Sequence, residues 1–132
     1  RDLEAADLIV VKVAPLGGVR SALAIVQECG LPAVVSSALD TSVGISFGVA
    51  LAAALPSLEH ACGLGTVALL AGDVTPSPLV PDHGPLMAGR VDVGEALLDR
   101  WAAPPERVTW WADRVAACHA VLAAAPQGGG MP

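Results

Sequence analysis

One lysine and two groups of small residues carry most of the chemistry that this chain offers. Lys12 is its only lysine, the other six cations being arginines, and it interrupts the apolar run of residues 8–14. Lysine can lose its proton where arginine cannot, and an apolar setting favours that loss by removing hydration. We therefore predict that Lys12 is buried and acts as an acid or base, with a salt-bridged or snorkelling lysine as the alternative.

Serines and glycines follow two later apolar segments. Ser36 and Ser37 end the segment AVVSS, and residues 63–66 read GLGT. Serine hydroxyls and a helix start favour carboxylate or phosphate ligands, and glycine lets a ligand approach the backbone. Each group alone is typical of an ordinary turn, but together with Lys12 they indicate a binding site.

The elements that must position these residues alternate along the chain. The pattern predicts strands at 8–14 and 33–37, and over 60–70 a third short strand whose Gly-rich end runs into a brief helical turn. Helices are predicted at 19–29, closed by Gly30, and at about 40–55, before Pro56. Such a β-α-β-α-β order is typical of parallel strands whose carboxyl ends share one edge. The fold class is therefore α/β, and Lys12, the serines and the glycines are expected on one rim.

The remainder has a different character. Prolines and glycines predict an extended segment over 75–93, with at most a short strand pair at 86–93. Helices are predicted at 94–102 and 105–123, and a disordered tail at 127–132. Three strands do not close a barrel, so we expect further strands before Arg1, in a larger protein of which this is a piece.

Composition excludes several function classes. The net charge of −6 without a basic cluster argues against nucleic acid and anionic membrane surfaces as partners. Residues 41–58 are uncharged, but their small side chains and Pro56 favour a buried helix over a membrane span. Three distant cysteines form no disulfide framework, so a cytoplasmic location is the default.

Four segments carry a family resemblance. VVKVAPLGG, VVSSALDTSVG, CGLGT and LVPDHGPLMAGRVDV resemble o-succinylbenzoate synthases, of the muconate-lactonizing-enzyme-like subgroup of the enolase superfamily. The resemblance implies the C-terminal part of a modified (β/α)7β TIM barrel, strands six to eight, in residues 1–74. It further implies a return to the capping domain over 75–93 and C-terminal helices over 94–126.

The same resemblance implies roles for single residues. Lys12 matches the sixth-strand lysine, whose cation stabilises the enediolate opposite a base lysine of the second strand. Ser36 matches a serine that binds the succinyl group, and Gly63 a glycine that contacts substrate through its backbone. Ser37 and Leu64 are expected on the same substrate-binding edge. Gly65 stands where some relatives have an acidic residue, so any role of that side chain is absent.

The implied enzyme is a carbon–oxygen lyase of menaquinone synthesis. It would dehydrate a small dicarboxylate, 2-succinyl-6-hydroxy-2,4-cyclohexadiene-1-carboxylate, with Mg2+ or Mn2+ holding the carboxylate as charge develops. The family's three metal ligands come from strands three to five, outside this chain, and Asp40 and Asp73 match no ligand position. The chain alone is therefore expected to be inactive and to depend on the N-terminal barrel and capping portion.

Other functions stay open. One alternative is racemisation of N-succinylamino acids, which would use the same lysines and succinyl pocket. Another is a non-catalytic segment that only completes a barrel supplied by another chain. The sequence GISFG matches the G-x-S-x-G elbow of serine hydrolases, but Ser46 falls inside a predicted helix. A zinc site from His60, Cys62, Cys118 and His119 has poor ligand spacing, and a phosphate loop at 15–19 lacks the expected motif.

Overall fold

The computed structural model describes residues 5–124, and the contacts divide the chain into two compact units after Trp101. The first unit contains two strands, three α-helices and a 3₁₀ turn, Thr66–Leu69. The second contains one helix. The strands are β1 Ile9–Val11 and β2 Ala33–Val35, and the helices are α1 Val19–Cys29, α2 Ser42–Ala54, α3 Glu95–Arg100 and α4 Pro105–Ala124.

The two strands form a parallel pair, as predicted. Val10 faces Val34 and Val11 faces Val35 in the register, and α1 connects the strands. Both strands are three residues long and consist of Ile, Val and Ala, of which the β-branched residues suit a sheet. The pairing fixes which residues after each strand lie side by side.

Glycines shape the entry into α1. Gly17 and Gly18 both have positive φ, 79° and 119°, in a turn whose amides bond back to Ala14 and Val13. Side chains with a Cβ rarely adopt this backbone, so the glycine pair is what lets the chain reverse directly after β1. At the other end of α1, Gly30 is left-handed and caps the helix, as predicted.

The core lies on one face of the sheet. Val11 and Val35 are buried there against α1 and α2, which contribute Ala22, Ile45 and other apolar residues. Strand side chains alternate between faces. Val10 consequently points to the opposite face, where it is 59% exposed, against 4% for Val11.

The third predicted strand is wrong in its extent. Only Gly63 pairs with β2, through an isolated parallel bridge to Ser36. The chain then leaves the sheet for the 3₁₀ turn at Thr66, which matches the brief helical turn expected after the glycines. A strand is extended by backbone partners on its sides, and within residues 5–124 the 60–70 segment pairs with β2 alone.

The segment over 75–93 contains no helix or strand, which agrees with the expectation of an extended segment with at most a short strand pair. Its end is tied to its start by one bond, from the Gly94 amide to the Val74 carbonyl. The helix expected at 94–102 is observed as α3. Trp101, just after α3, lies so close to Gly72 that a Cβ built there would be 2.0 Å from the ring.

The second unit is a single 20-residue helix, α4. Two proline positions start it, with the Arg107 amide bonded to the Pro104 carbonyl. Trp110 and Trp111 are adjacent on α4, and their rings contact each other edge to face with 4.7 Å between the ring centroids. The predicted disordered tail lies outside the described residues. Across residues 5–124, none of the helices combines the length and apolarity that crossing a bilayer takes.

Candidate functional site

Three backbone segments end side by side at the carboxyl edge of the sheet. The Ser36 amide donates to the Val11 carbonyl at 2.9 Å, which places Lys12 and Ser36 next to each other in the register. The Gly63 amide donates to the Val35 carbonyl at 2.9 Å, which brings Gly63 beside Ser36. The sheet thus brings together the lysine, a serine and a glycine that the sequence singled out.

Lys12 is exposed, so the prediction that it is buried is wrong. It follows the buried Val11, and by alternation it shares the uncovered face of the sheet with Val10. A shallow cavity of about 310 Å3 lies there, formed by Lys12, Val10, Pro15 and Leu16. The apolar run misled the prediction because, within the described residues, helices cover only one of its faces. The amine nevertheless lies on the same face as Ser36.

Ser36 and Gly63 are in close contact. A Cβ built on Gly63 would lie 3.1 Å from Ser36 Oγ, which is tighter than ordinary van der Waals contact. The Ser36 hydroxyl donates only a long bond of 3.5 Å, to the Ser37 carbonyl. The glycine therefore makes room for a hydroxyl that retains its capacity to bind a ligand.

Ser37 and Leu64 point to the other side of the sheet from Ser36. Ser37 is 6% exposed, and its hydroxyl lies 3.1 Å from the Gly63 carbonyl and 2.7 Å from Thr66 Oγ1. Leu64 is buried against Gly48 of α2. Both residues nevertheless line, together with Ser36, the larger cavity beside the rim, so their place on the substrate-binding edge stays a prediction. The Leu64 amide makes no hydrogen bond within residues 5–124 and is the group of this pair left for a ligand.

A second, larger cavity of about 440 Å3 lies beside the rim, between the starts of α1 and α2. Its lining includes Gly18, Arg20, Ser36, Asp40 and Phe47, but not Lys12. The two cavities at this edge of the sheet are therefore distinct. Ser36 lines the larger one and Lys12 lines the smaller one.

Sequence reasoning missed a buried carboxylate that caps α2. The Asp73 carboxylate accepts the Ser42 amide at 3.2 Å, the Val74 amide at 2.7 Å and the Ser42 hydroxyl. Ser42 Oγ in turn accepts the Leu79 amide at 2.7 Å. The N-cap residue of α2, Thr41, makes no side-chain cap bond of its own. An isolated Asp between apolar residues was the only available signal, since its partner is 31 positions away.

The alternative sites are not supported. Ser46 lies within α2 and donates to the Val43 carbonyl at 2.6 Å, so it is not on a strand-to-helix elbow. A serine hydrolase would also need an Asp and a His downstream of Ser46. Asp73 is hydrogen-bonded to Ser42, and His83 is exposed beside Asp82. Within the described part of the chain, no three His, Cys, Asp or Glu residues come together as metal ligands, so the zinc site considered from the sequence does not form there.

The fold and the rim define the chain as an α/β segment whose parallel strands present a lysine, a serine and a glycine at one edge. Relatives of the chain are named o-succinylbenzoate synthase. That of Thermobifida fusca is 57% identical over 120 residues, covering 91% of this chain and 37% of the relative. Those of Mycobacterium tuberculosis and Mycobacterium leprae are 50% and 51% identical, covering 90% and 89% of this chain and 36% and 35% of the relatives.

The comparisons confirm the predicted resemblance to o-succinylbenzoate synthases. The chain spans little more than a third of the length of the relatives it matches. A scan against protein-family models gave no match.

Proposed function

We propose that this chain is part of an o-succinylbenzoate synthase and carries the substrate-facing ends of its last barrel strands. The single observation that carries the proposal is the identity of 50–57% over about nine-tenths of the chain. The rim supports it independently. Lys12, Ser36 and Gly63, which the resemblance assigns to substrate, lie next to one another at one edge of the sheet.

The proposed reaction is the dehydration of 2-succinyl-6-hydroxy-2,4-cyclohexadiene-1-carboxylate to o-succinylbenzoate and water. The base takes the proton of the C–H bond beside the ring carboxylate, and the electron pair of that bond passes through the enediolate into the new ring double bond. The neighbouring C–O bond breaks and its hydroxyl accepts the proton back from the base, so one water leaves and the base is regenerated. In this assignment the base is a lysine outside this chain. The Lys12 ammonium stabilises the enediolate as negative charge develops on the carboxylate.

Ser36 and the Gly63 segment would bind the succinyl end. The Ser36 hydroxyl can donate to a carboxylate, and the missing Cβ of Gly63 leaves space beside it. The Gly63 amide is committed to Val35, so the Leu64 amide is the backbone donor that we assign to the ligand. Ser37 and Leu64 line the same cavity as Ser36, and we keep both on the proposed substrate-binding edge.

A divalent metal, Mg2+ or Mn2+, belongs to the proposal only through the rest of the protein. Because the described residues do not form a metal site, we assign no step of this chain to the ion. Its ligands and the capping domain are expected in the portion of the full-length protein that this chain does not span.

The test is a steady-state assay of the full-length protein with the cyclohexadiene carboxylate and, separately, with N-succinylamino acids. We expect efficient dehydration. Racemisation without dehydration would instead assign the rim to the racemase reaction. Activity with neither substrate, in a folded protein supplied with Mg2+, would leave the segment as a structural part of the barrel and would refute the proposed enzyme.

A further inference from the structure

Two hydroxyls lie directly behind the rim, on the helix side of the sheet. Ser37 Oγ is 2.7 Å from Thr66 Oγ1 and 3.1 Å from the Gly63 carbonyl oxygen. A serine hydroxyl has a single proton. When Ser37 donates that proton to Gly63, Thr66 must donate its own to Ser37, so the bonds run in one direction from Thr66 through Ser37 to Gly63.

This relay fixes the backbone of the glycine segment. The Gly63 carbonyl accepts both the Ser37 hydroxyl and the Ser37 amide, the latter at 3.0 Å, while the Gly63 amide donates to Val35. Beyond Gly63 the chain makes no further strand pairs within residues 5–124. The two hydroxyls therefore hold in place a segment that the sheet itself holds at one residue only.

The position of that segment matters for the rim. The distance of 3.1 Å between Ser36 Oγ and an added Gly63 Cβ shows how closely the two residues approach. A shift of a few tenths of an ångström would change the space beside the Ser36 hydroxyl and the direction of the Leu64 amide. Within residues 5–124 the Thr66 hydroxyl bonds to Ser37 and to neither the Ser36 hydroxyl nor the Leu64 amide, so we expect its effect on a ligand to pass through Ser37 and Gly63.

We propose that Thr66 is a positioning residue of the substrate-binding edge, acting through the Ser37 hydroxyl on the Gly63 backbone. The inference rests on the proposed dehydratase function. It assigns a role to Thr66, which carries no role in the family resemblance, and it makes Ser37 the residue through which that role acts.

The experiment compares Thr66→Val, Thr66→Ser and Thr75→Val in the full-length enzyme, with KM and kcat for the cyclohexadiene carboxylate and Tm as readouts. Thr66→Val removes the hydroxyl and keeps the shape, whereas Thr66→Ser keeps the hydroxyl. Thr75→Val is the matched control, because Thr75 is buried and its hydroxyl accepts only the Ser77 amide in a turn.

We expect Thr66→Val to raise KM about tenfold and to change kcat less than about twofold, because one hydrogen bond at the binding edge is lost and the reacting end is untouched. Thr66→Ser should restore KM to within about twofold of wild type. Thr75→Val should leave KM unchanged. If Thr66→Val does not fold, Ser37→Ala must give the same rise in KM.

An active wild type with an unchanged KM in Thr66→Val would overturn the positioning role and leave the dehydratase intact. Equal losses in Thr66→Ser and Thr66→Val, or in Thr75→Val, would also overturn it, because they would show a general structural effect. A wild type that does not dehydrate the substrate would refute the proposed function itself.

Discussion

The two faces of the β1–β2 sheet differ more than the strand sequences suggest. On one face Val11 and Val35 are buried beneath α1 and α2. On the other, Val10 and Lys12 are exposed, and Ser36 at the sheet edge borders the cavity between the starts of α1 and α2. The first face is finished by local helices, and the second presents a lysine and a serine beside an apolar strip. Apolar residues on both sides of β1 therefore do not mean that helices of this chain cover both sides: Val11 is buried by them and Val10 is not.

The largest expected effect concerns the uncovered face. Lys12→Arg in the full-length protein should lower kcat about 10³-fold. Arginine keeps the positive charge, but it lacks the compact ammonium group and cannot release a proton near neutral pH. Single-turnover and steady-state assays measure this. Arg114→Lys, at an exposed α4 position, is the matched control and should stay within about twofold of wild type. Near-normal turnover of Lys12→Arg would remove Lys12 from the mechanism.

The next effect concerns the helix-covered side. Asp73→Asn should lower the free energy of unfolding by about 2–3 kcal/mol, because the amide places its own donors against the Ser42 and Val74 amides. Denaturant titration of the full-length protein measures the change. Asp82→Asn, whose side chain is 94% exposed, should stay within about 0.5 kcal/mol. Equal stability of the two variants would show that the Asp73 cap does not stabilise α2.

Gly63→Ala separates binding from stability at the rim. The new Cβ would crowd Ser36 Oγ at 3.1 Å, so we expect kcat/KM to fall about tenfold with a stability loss below about 1 kcal/mol. Gly65→Ala is the control two residues away, where the added Cβ meets Pro81 at an ordinary 3.5 Å. If both variants behave alike, the close approach of Gly63 to Ser36 has no bearing on the ligand.

The smallest effect tests whether the uncovered face is buried in the full-length protein. Val10→Ala should then cost about 1 kcal/mol of unfolding free energy, because it removes two buried carbon groups. Val80→Ala, at a half-exposed loop position, should cost less than about 0.5 kcal/mol. A Val10→Ala variant as stable as wild type would mean that this face of the sheet is also exposed to solvent in the full-length protein.

Prediction succeeded where the signals were local. The spacing of apolar residues and Gly30 placed α1 at its observed bounds, and small residues ended by Pro56 placed α2 nearly so. The strands were overestimated, from seven predicted residues to the observed Ile9–Val11 in β1, because an apolar run continues beyond the residues that find a hydrogen-bonding partner. The third strand failed for the same reason.

The candidate site was predictable in composition but not in orientation. Lys12, Ser36 and Gly63 were identified by residue type and by their position at strand ends, and the register placed them side by side. The burial of Ser37 and Leu64, and the cap that the buried Asp73 forms on α2, depend on contacts between residues up to 31 positions apart. No periodicity within one element reports such contacts.

By itself the sequence determined the alternation of elements, the turns that glycine imposes and the residues with reactive side chains, because these follow from the conformational and chemical preferences of single residues and near neighbours. Only the tertiary structure decided that Lys12 is exposed, that Thr66 and Ser37 hold Gly63 from behind, and that Asp73 caps a distant helix. Those outcomes require the register of neighbouring segments and the covering of one sheet face, and both are set by packing across the chain.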